Sequence, residues 1–570
     1  MIHSEKLKQW YFNQPDKKRN TLVRILGVEY AHLRLPDASD LYVTALGLPF
    51  IAQLMPENFY TDKEWFAKNA TRLSGTSCVY RVHSKESKGK TKELVIKWNR
   101  MGQDIPGGDD QEYLMNARFN SPFEEFCLIM ELRREMYNLP RIPHVIHKPL
   151  AIYVPAEKND VERMGRRKPE MEKIIAEHAE IDIDMQRSYA MIFEWVKGID
   201  AVEAQSRGMI DEALMRRVTE AANEQMRQNG YFVRDSKPHH IILRFSKKKQ
   251  DLLARAGRQP LTAIVDFELL ARTPERDAAI KKAKRLEYHK RQAERFIHQW
   301  GQAFHPHLQQ VNHLGIDYIY GTVETTQGRL WVVGADPYLF DYFLPERWER
   351  TKRTRLSMFS ESYYTVTKDN LNLIWEVSKV GLRPDFDPFK PDEVRILEYG
   401  YNSPFEEVAL AIELERQNIP TIYPRAIYMT GFKTEISELI YDPSRYMLHQ
   451  CAQTPDELPI LCKDHEYIII WGYWNGADAL LAENDMFYCT GINALRAYRN
   501  GYITEAVYLR IIGMMKERLR AVGVEDLNLR GTHLLLSLDK DNKLIMGEAG
   551  LPEVRICNFE FLRKIEMGQG

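Results

Sequence analysis

The stretch Tyr231-Phe-Val-Arg-Asp-Ser-Lys-Pro-His-His-Ile-Ile-Leu243 gathers an acid, a lysine and two histidines in a tight loop ahead of an apolar, strand-like segment. About thirty residues on, Ala263-Ile-Val-Asp-Phe-Glu-Leu-Leu270 carries a second acid at the end of another apolar run. An acid-bearing loop that leads into a strand, followed by a strand ending in Asp-Phe, suits a site that holds a hydroxyl against a metal-bound triphosphate. The same layout returns near the C-terminus with amides in place of the acids.

The elements that must position these groups also come twice. Leu26-Gly-Val-Glu-Tyr30 returns as Leu314-Gly-Ile-Asp-Tyr318, and Met55-Pro-Glu-Asn-Phe59 as Leu344-Pro-Glu-Arg-Trp348. The strongest match sets Phe119-Asn-Ser-Pro-Phe-Glu-Glu125 against Tyr401-Asn-Ser-Pro-Phe-Glu-Glu407. The matches keep their order, and the period is far too long for a solenoid. Two copies of one α+β domain are therefore expected, over 1–275 and 313–570, with a helical linker at 276–312.

A chain of 570 residues is too long for one core. Its net charge of −1 provides no global field for nucleic acid or an anionic membrane. The six cysteines are scattered without a C-x-x-C spacing, which suits a reducing, cytoplasmic setting and argues against a disulfide frame or a zinc site. No apolar run approaches the ~20 residues of a membrane span, and the charged N-terminus lacks a secretory h-region.

Within the first copy, residues 20–60 read as a small β-rich preface and 68–99 as a meander. Glu93-Leu-Val-Ile-Lys-Trp98 is an apolar strand bearing a lysine. Asn120-Ser-Pro-Phe-Glu-Glu starts a helix: Asn120 or Ser121 caps it, Pro122 suits its first turn, and the acids favour its positive end. Phe126, Ile129, Met130 and Leu132 give it a buried face. Residues 155–187 form a helix-prone excursion between strands, and 211–229 an amphipathic helix delivering the loop at 231–243. A basic helix near 274–300 reads as a solvated connector rather than a nucleic-acid-binding element.

Taken in order, these segments resemble the protein-kinase-like superfamily, although each motif is degenerate. The resemblance implies a reduced kinase-like fold with a β-rich N-lobe, one helix and a short C-lobe. It implies that Ser74, Gly75 and Thr76 close over ATP phosphates, and that Lys97 contacts the α- and β-phosphates with Glu125, or the adjacent Glu124, as its helix partner. The segment from Glu194 to Asp200 resembles the hinge that receives adenine; Asp200 could meet a ribose hydroxyl or cap a helix. Asp235 would be the catalytic base, in Val-Arg-Asp rather than His-Arg-Asp, and Lys237 would neutralise the transferring group. Asp266 would hold Mg²⁺, with Glu268 where the family has glycine. His240 stands where the second metal ligand is usually Asn, which suits Mn²⁺ better than Mg²⁺, or else marks a structural position shared with His533.

In the second copy Glu376 aligns with Lys97, Asn528 with Asp235, Arg530 with Lys237 and Asn558 with Asp266. A carboxylate repels phosphates, and amides cannot replace acids as base or metal ligand. The implied function is an ATP-dependent phosphotransferase working through the first copy on an alcohol group of a small molecule or protein. The second, pseudokinase-like copy would contact and scaffold or regulate it. The rival expectation is a non-catalytic nucleotide-sensing or protein-binding pair.

Overall fold

The computed structural model describes residues 2–16, 19–73, 77–87, 89–105, 117–137, 144–177, 183–246, 252–254, 260–297, 308–323, 325–357, 360–434, 440–474, 490–547 and 550–565. The architecture is α+β. The chain divides into two compact units, Met1–Ala278 and Ala279–Gly570.

The first unit opens with helix α1 (Ile2–Phe12) and strands β1 (Asn20–Ile25), β2 (Val28–Arg34) and β3 (Asp40–Thr44). Helix α2 (Lys63–Asn69) leads to β4 (Ala70–Arg72), β5 (Val79–His83) and β6 (Glu93–Trp98). Helix α3 (Pro122–Tyr137) follows, then β7 (His144–Ile146), β8 (Pro149–Val154), α4 (Lys168–Glu177) and β9 (Ala190–Glu194). Eight of these strands make one sheet in the order β1-β2-β3-β8-β9-β6-β5-β4, antiparallel at every step. The expected preface and meander are thus one sheet. The pairing of Asp40–Val43 with Ala151–Val154 joins them, a contact too distant in sequence to be read from periodicity.

Both faces of the sheet are covered, so its central strands are mostly apolar; every residue of β8 is buried. One face packs Leu33, Val43, Leu94 and Ile192 under Leu7 of α1 and Phe59. The other sets Tyr30, Ile152, Met191 and Phe193 against Phe123, Phe126, Ile129 and Leu132 of α3. Each such side chain contributes about 1.5–3 kcal/mol through burial.

Past β9 the chain makes β10 (Ile199–Asp200), α5 (Ala201–Ser206), α6 (Glu212–Gln228), β11 (Tyr231–Val233), β12 (Ile241–Leu243), β13 (Thr262–Ile264) and β14 (Leu270–Arg272). Gly198 lets β10 lie tight on β12: its φ is +152°, and a Cβ there would sit 2.4 Å from the Leu243 carbonyl oxygen. Strands β11 and β14 pair, as do β12 and β13. The loop after β11 and the turn after β13 are therefore each anchored at both ends and lie side by side.

The second unit repeats the sheet. Leu308–His313, Ile316–Thr322, Arg329–Val333, Tyr423–Met429, Tyr467–Gly472, Asn372–Val377, Ser362–Val366 and Arg353–Arg355 succeed one another in the same order. Helix Pro404–Arg416 takes the place of α3. Helix α7 (Pro274–Ala293) is not a wholly solvated connector. Arg285, Tyr288, His289 and Gln292 are buried, Tyr288 joins the core of the second unit with Phe343 and Trp348, and Arg425 donates to Gln292 at 2.6 Å.

The repeated Asn-Ser-Pro-Phe-Glu-Glu has a structural reason. Asn120 donates through its backbone N–H to Glu268 O at 3.1 Å and through its side chain to Leu270 O at 2.9 Å. Asn402 donates likewise to Glu560 O at 2.9 Å, and through Nδ2 to Phe559 O and Leu562 O, both at 2.8 Å. The asparagine fastens the helix start to the turn that follows the second acid or its amide counterpart. Asn402→Ala removes two hydrogen bonds at a fully buried site, although Leu562 O keeps the Tyr399 hydroxyl and Phe559 O keeps the Leu562 N–H, and should cost the second unit about 1–3 kcal/mol, at about 0.5–1.5 per bond lost. Asn120→Ala should cost the first unit less. Calorimetric unfolding of the two variants checks the difference.

Candidate active site

Residues of one strand project alternately to its two faces. On β6, Leu94 and Ile96 face α1, so Val95 and Lys97 face α3. Lys97 is accordingly buried with its ammonium among three carboxylates: Asp266 at 2.5 Å, Glu268 at 3.2 Å and Glu125 at 3.9 Å. Arg100 closes the cluster, 3.6 Å from Glu268 and stacked over Phe119.

Sequence spacing leaves Glu124 and Glu125 as alternatives, and the helix start separates them. Ser121 Oγ accepts from the Glu124 N–H at 3.2 Å while the Glu124 carboxylate accepts from the Ser121 N–H at 2.8 Å. This reciprocal box occupies Glu124. Glu125, one residue and about 100° further round the helix, points inward to Lys97. It is fully buried, and neither of its oxygens has a hydrogen-bond partner among the described residues.

The charges of the cluster are not shared evenly. Burial alone would lower the Lys97 pKa, but Asp266, Glu125 and Glu268 outweigh it and hold the ammonium above the ordinary lysine range. Burial would raise Asp266, yet Lys97 and then His240 hold it below the usual carboxylate range. For Glu125 burial prevails: with Asp266 and Glu268 opposing Lys97, its carboxyl is pushed up to about 8. Lys97 therefore has Asp266 as its ionised partner, and Glu125 is held in reserve.

Asp266 lies in the left-handed backbone region, φ 66°, where a non-glycine side chain costs about 1–2 kcal/mol. His240 Nε2 lies 3.7 Å from its second oxygen. Val265 N donates to His240 O at 2.9 Å, which holds the two turns together. Asp235 sits on the neighbouring loop, 3.6 Å from Lys237, and Ser236 donates to Asn223 of α6.

Several expected site residues have other engagements. Asp200 caps α5, accepting from Val202 and Glu203 N–H groups at 3.0 and 2.9 Å, and lies 3.2 Å from His239. Glu194 is ion-paired with Lys92 and Lys148. Ser74, Gly75 and Thr76 lie outside the described residues; next to them, Ser77 Oγ donates to Glu268 at 3.3 Å. A cavity of about 260 Å³ borders Glu194–Lys197 together with His147, Arg244 and Ala263, and Lys97, Asp235 and Asp266 do not line it. Arg100 carries no motif and escapes sequence reading; its one trace is that Lys379 occupies the matching place in the repeat.

The matching place in the second unit is inverted in charge. Glu376 stands on the strand where Lys97 would be and accepts from Trp471 Nε1 at 3.0 Å. Glu407 is buried with one oxygen unpartnered, and Glu560 pairs with Lys379 at 2.9 Å. Burial and then Glu560 raise Glu376 to about 7, while burial, Glu376 and Glu560 raise Glu407. Asn558 uses its side chain to cap its own turn, accepting from Glu560 N–H at 3.3 Å. It is not among the described residues with positive φ. Arg530 folds back onto Asn528 at 2.7 Å.

No protein-family model matches the chain, and no curated protein does. The bearing on function is that of the geometry above.

The raised carboxyl of Glu376 links the second unit to pH. A group elevated from 4.5 to about 7 lends stability that is complete below pH 4.5 and is lost as pH rises through 7. Glu376→Gln keeps an acceptor for Trp471 and removes the charge. It should stabilise the second unit at pH 8 by about 1–3 kcal/mol, the partial exposure of Glu376 reducing the full linkage value, and change nothing at pH 4.5. Thermal unfolding across this range checks the sign.

Proposed function

We propose that the first unit binds ATP with a divalent cation, Mg²⁺ or Mn²⁺, and transfers its γ-phosphoryl to an alcohol group of a small molecule or protein. The second unit is a catalytically dead scaffold or regulator. The supporting observation is the opposition at one strand position: a buried lysine ringed by Asp266, Glu268 and Glu125 in one copy, a half-buried glutamate beside Glu407 and Glu560 in the other. On this reading phosphate oxygens displace Asp266 from Lys97. The freed carboxylate would hold the metal, and Glu125 would release its proton to solvent and become the lysine's partner. Asp235 takes the acceptor proton and Lys237 offsets charge on the group in flight. A divalent cation held by Asp266 would supply charge neutralisation for the phosphate oxygens.

A second reading, nucleotide sensing without transfer, has its own support. Lys97 is already neutralised by Asp266, and Glu268 fills the position next to them. Thermal shifts and labelled γ-phosphate separate the two. Saturating ATP with Mg²⁺ at about 100 times Kd should stabilise the first unit by about 2.7 kcal/mol. Lys97→Met and Asp266→Ala should lose most of this shift, and Asn558→Ala should retain it. Asp235→Asn should bind normally but transfer about 100-fold more slowly or worse. Binding with no transfer by the native protein establishes the sensing reading, and no shift at all removes both.

A further inference from the structure

The segment ahead of the strand Tyr467–Gly472 brings together three different metal-ligating groups in four residues. Cys462 Sγ, an Asp464 carboxylate oxygen and a His465 ring nitrogen all lie within 4.8 Å of one another, each half-buried. No C-x-x-C or His-x₃-His spacing marks them, and the sequence reading, which argued against a zinc site, passed over them.

The segment is held in shape by its surroundings. Cys462 N donates to the hydroxyl of buried Tyr467 at 2.7 Å, and that hydroxyl donates to Ile460 O at 3.0 Å. Thr434 N donates to Asp464 O at 2.8 Å. The backbone on both sides of the three side chains is thus fixed by a core tyrosine and a neighbouring chain segment. Asp464 Oδ1 meets His465 Nδ1 at 2.9 Å, and Lys433 reaches Asp464 Oδ2 at 2.7 Å. Lys433 is 78 % exposed at its side chain and can swing into water. It is a removable cation paired with one of the three candidate ligands.

We propose that Cys462, Asp464 and His465 form a binding site for a zinc-type divalent cation, with the fourth tetrahedral position open to water. A thiolate, an imidazole and a carboxylate together are a zinc donor set and a poor one for Mg²⁺ or Ca²⁺. On binding, the cation displaces Lys433, the Cys462 S–H bond breaks and its proton goes to solvent, and the His465 proton moves to Nε2 so that Nδ1 can ligate. One proton is released per metal bound. The site lies away from Glu376, Glu407 and Glu560 in sequence and does not depend on the phosphotransfer reading.

The test uses the full chain, stripped with a chelator and titrated with Co²⁺ as a spectroscopic probe. One equivalent should produce a near-ultraviolet sulfur-to-cobalt band and tetrahedral visible bands, both reversed by Zn²⁺. Affinity should rise about tenfold per pH unit below the thiol pKa, reporting the single proton. Cys462→Ser should abolish the sulfur band, and His465→Ala should weaken binding at least about tenfold. Lys433→Met should tighten binding severalfold, a gain that no damaged fold would give. The exposed Cys451→Ser should keep the band. Absence of a sulfur band at millimolar Co²⁺, its persistence in Cys462→Ser, or weaker binding in Lys433→Met overturns the proposal.

Discussion

A lysine on a central, fully covered strand is the constraint on which the first unit depends. An ammonium buried without compensation costs several kcal/mol, so Lys97 dictates what surrounds it. Glu125 must face it from α3, and the turn at Asp266 must reach it on the same face of the sheet. Asn120, Ser121 and the short pairings of β11 with β14 and β12 with β13 serve to fix those two approaches. The second unit keeps every one of these supports and changes the charge they present. Burial pushes the carboxyls of Glu376 and Glu407 up, and Glu560 pairs with Lys379.

The sequence displays most of the scaffold and part of the site. The ordered repeat forecasts two like units because it is carried by short identical words, and the helix at 122–137 follows from local capping chemistry. Lys97 is legible as a charge that follows three apolar residues of a strand. The sheet order is not legible, because β3 finds β8 across more than a hundred residues of chain. Nor is the role of Asn120, whose carbonyl partner at Leu270 is 150 residues away. The choice between Glu124 and Glu125 is in fact written locally, in the Ser-x-x-Glu spacing of a capping box. Helix α7 misleads for the opposite reason: its buried face is made of arginine, tyrosine, histidine and glutamine, residues that hydropathy assigns to water.

Neighbouring residues with identical side chains can thus have opposed duties. Glu124 and Glu125, like Glu406 and Glu407, differ only in their angle about a helix axis. The first of each pair closes the helix end, and the second enters the interior, where both oxygens of Glu125 and one of Glu407 have no hydrogen-bond partner among the described residues. Their environments set the two carboxyls apart: Glu406 is drawn below the ordinary range despite its burial, by His449 and Arg445, while Glu407 is driven up.

The asparagine tether at the start of α3 has a mechanical corollary. It binds the helix to the very backbone that carries Asp266 into its left-handed turn, with no compliant loop between. Helix and turn are therefore one hydrogen-bonded piece, running from the backbone that carries Asp266 at one end to the exposed Tyr137, the last of the sixteen helical residues, at the other.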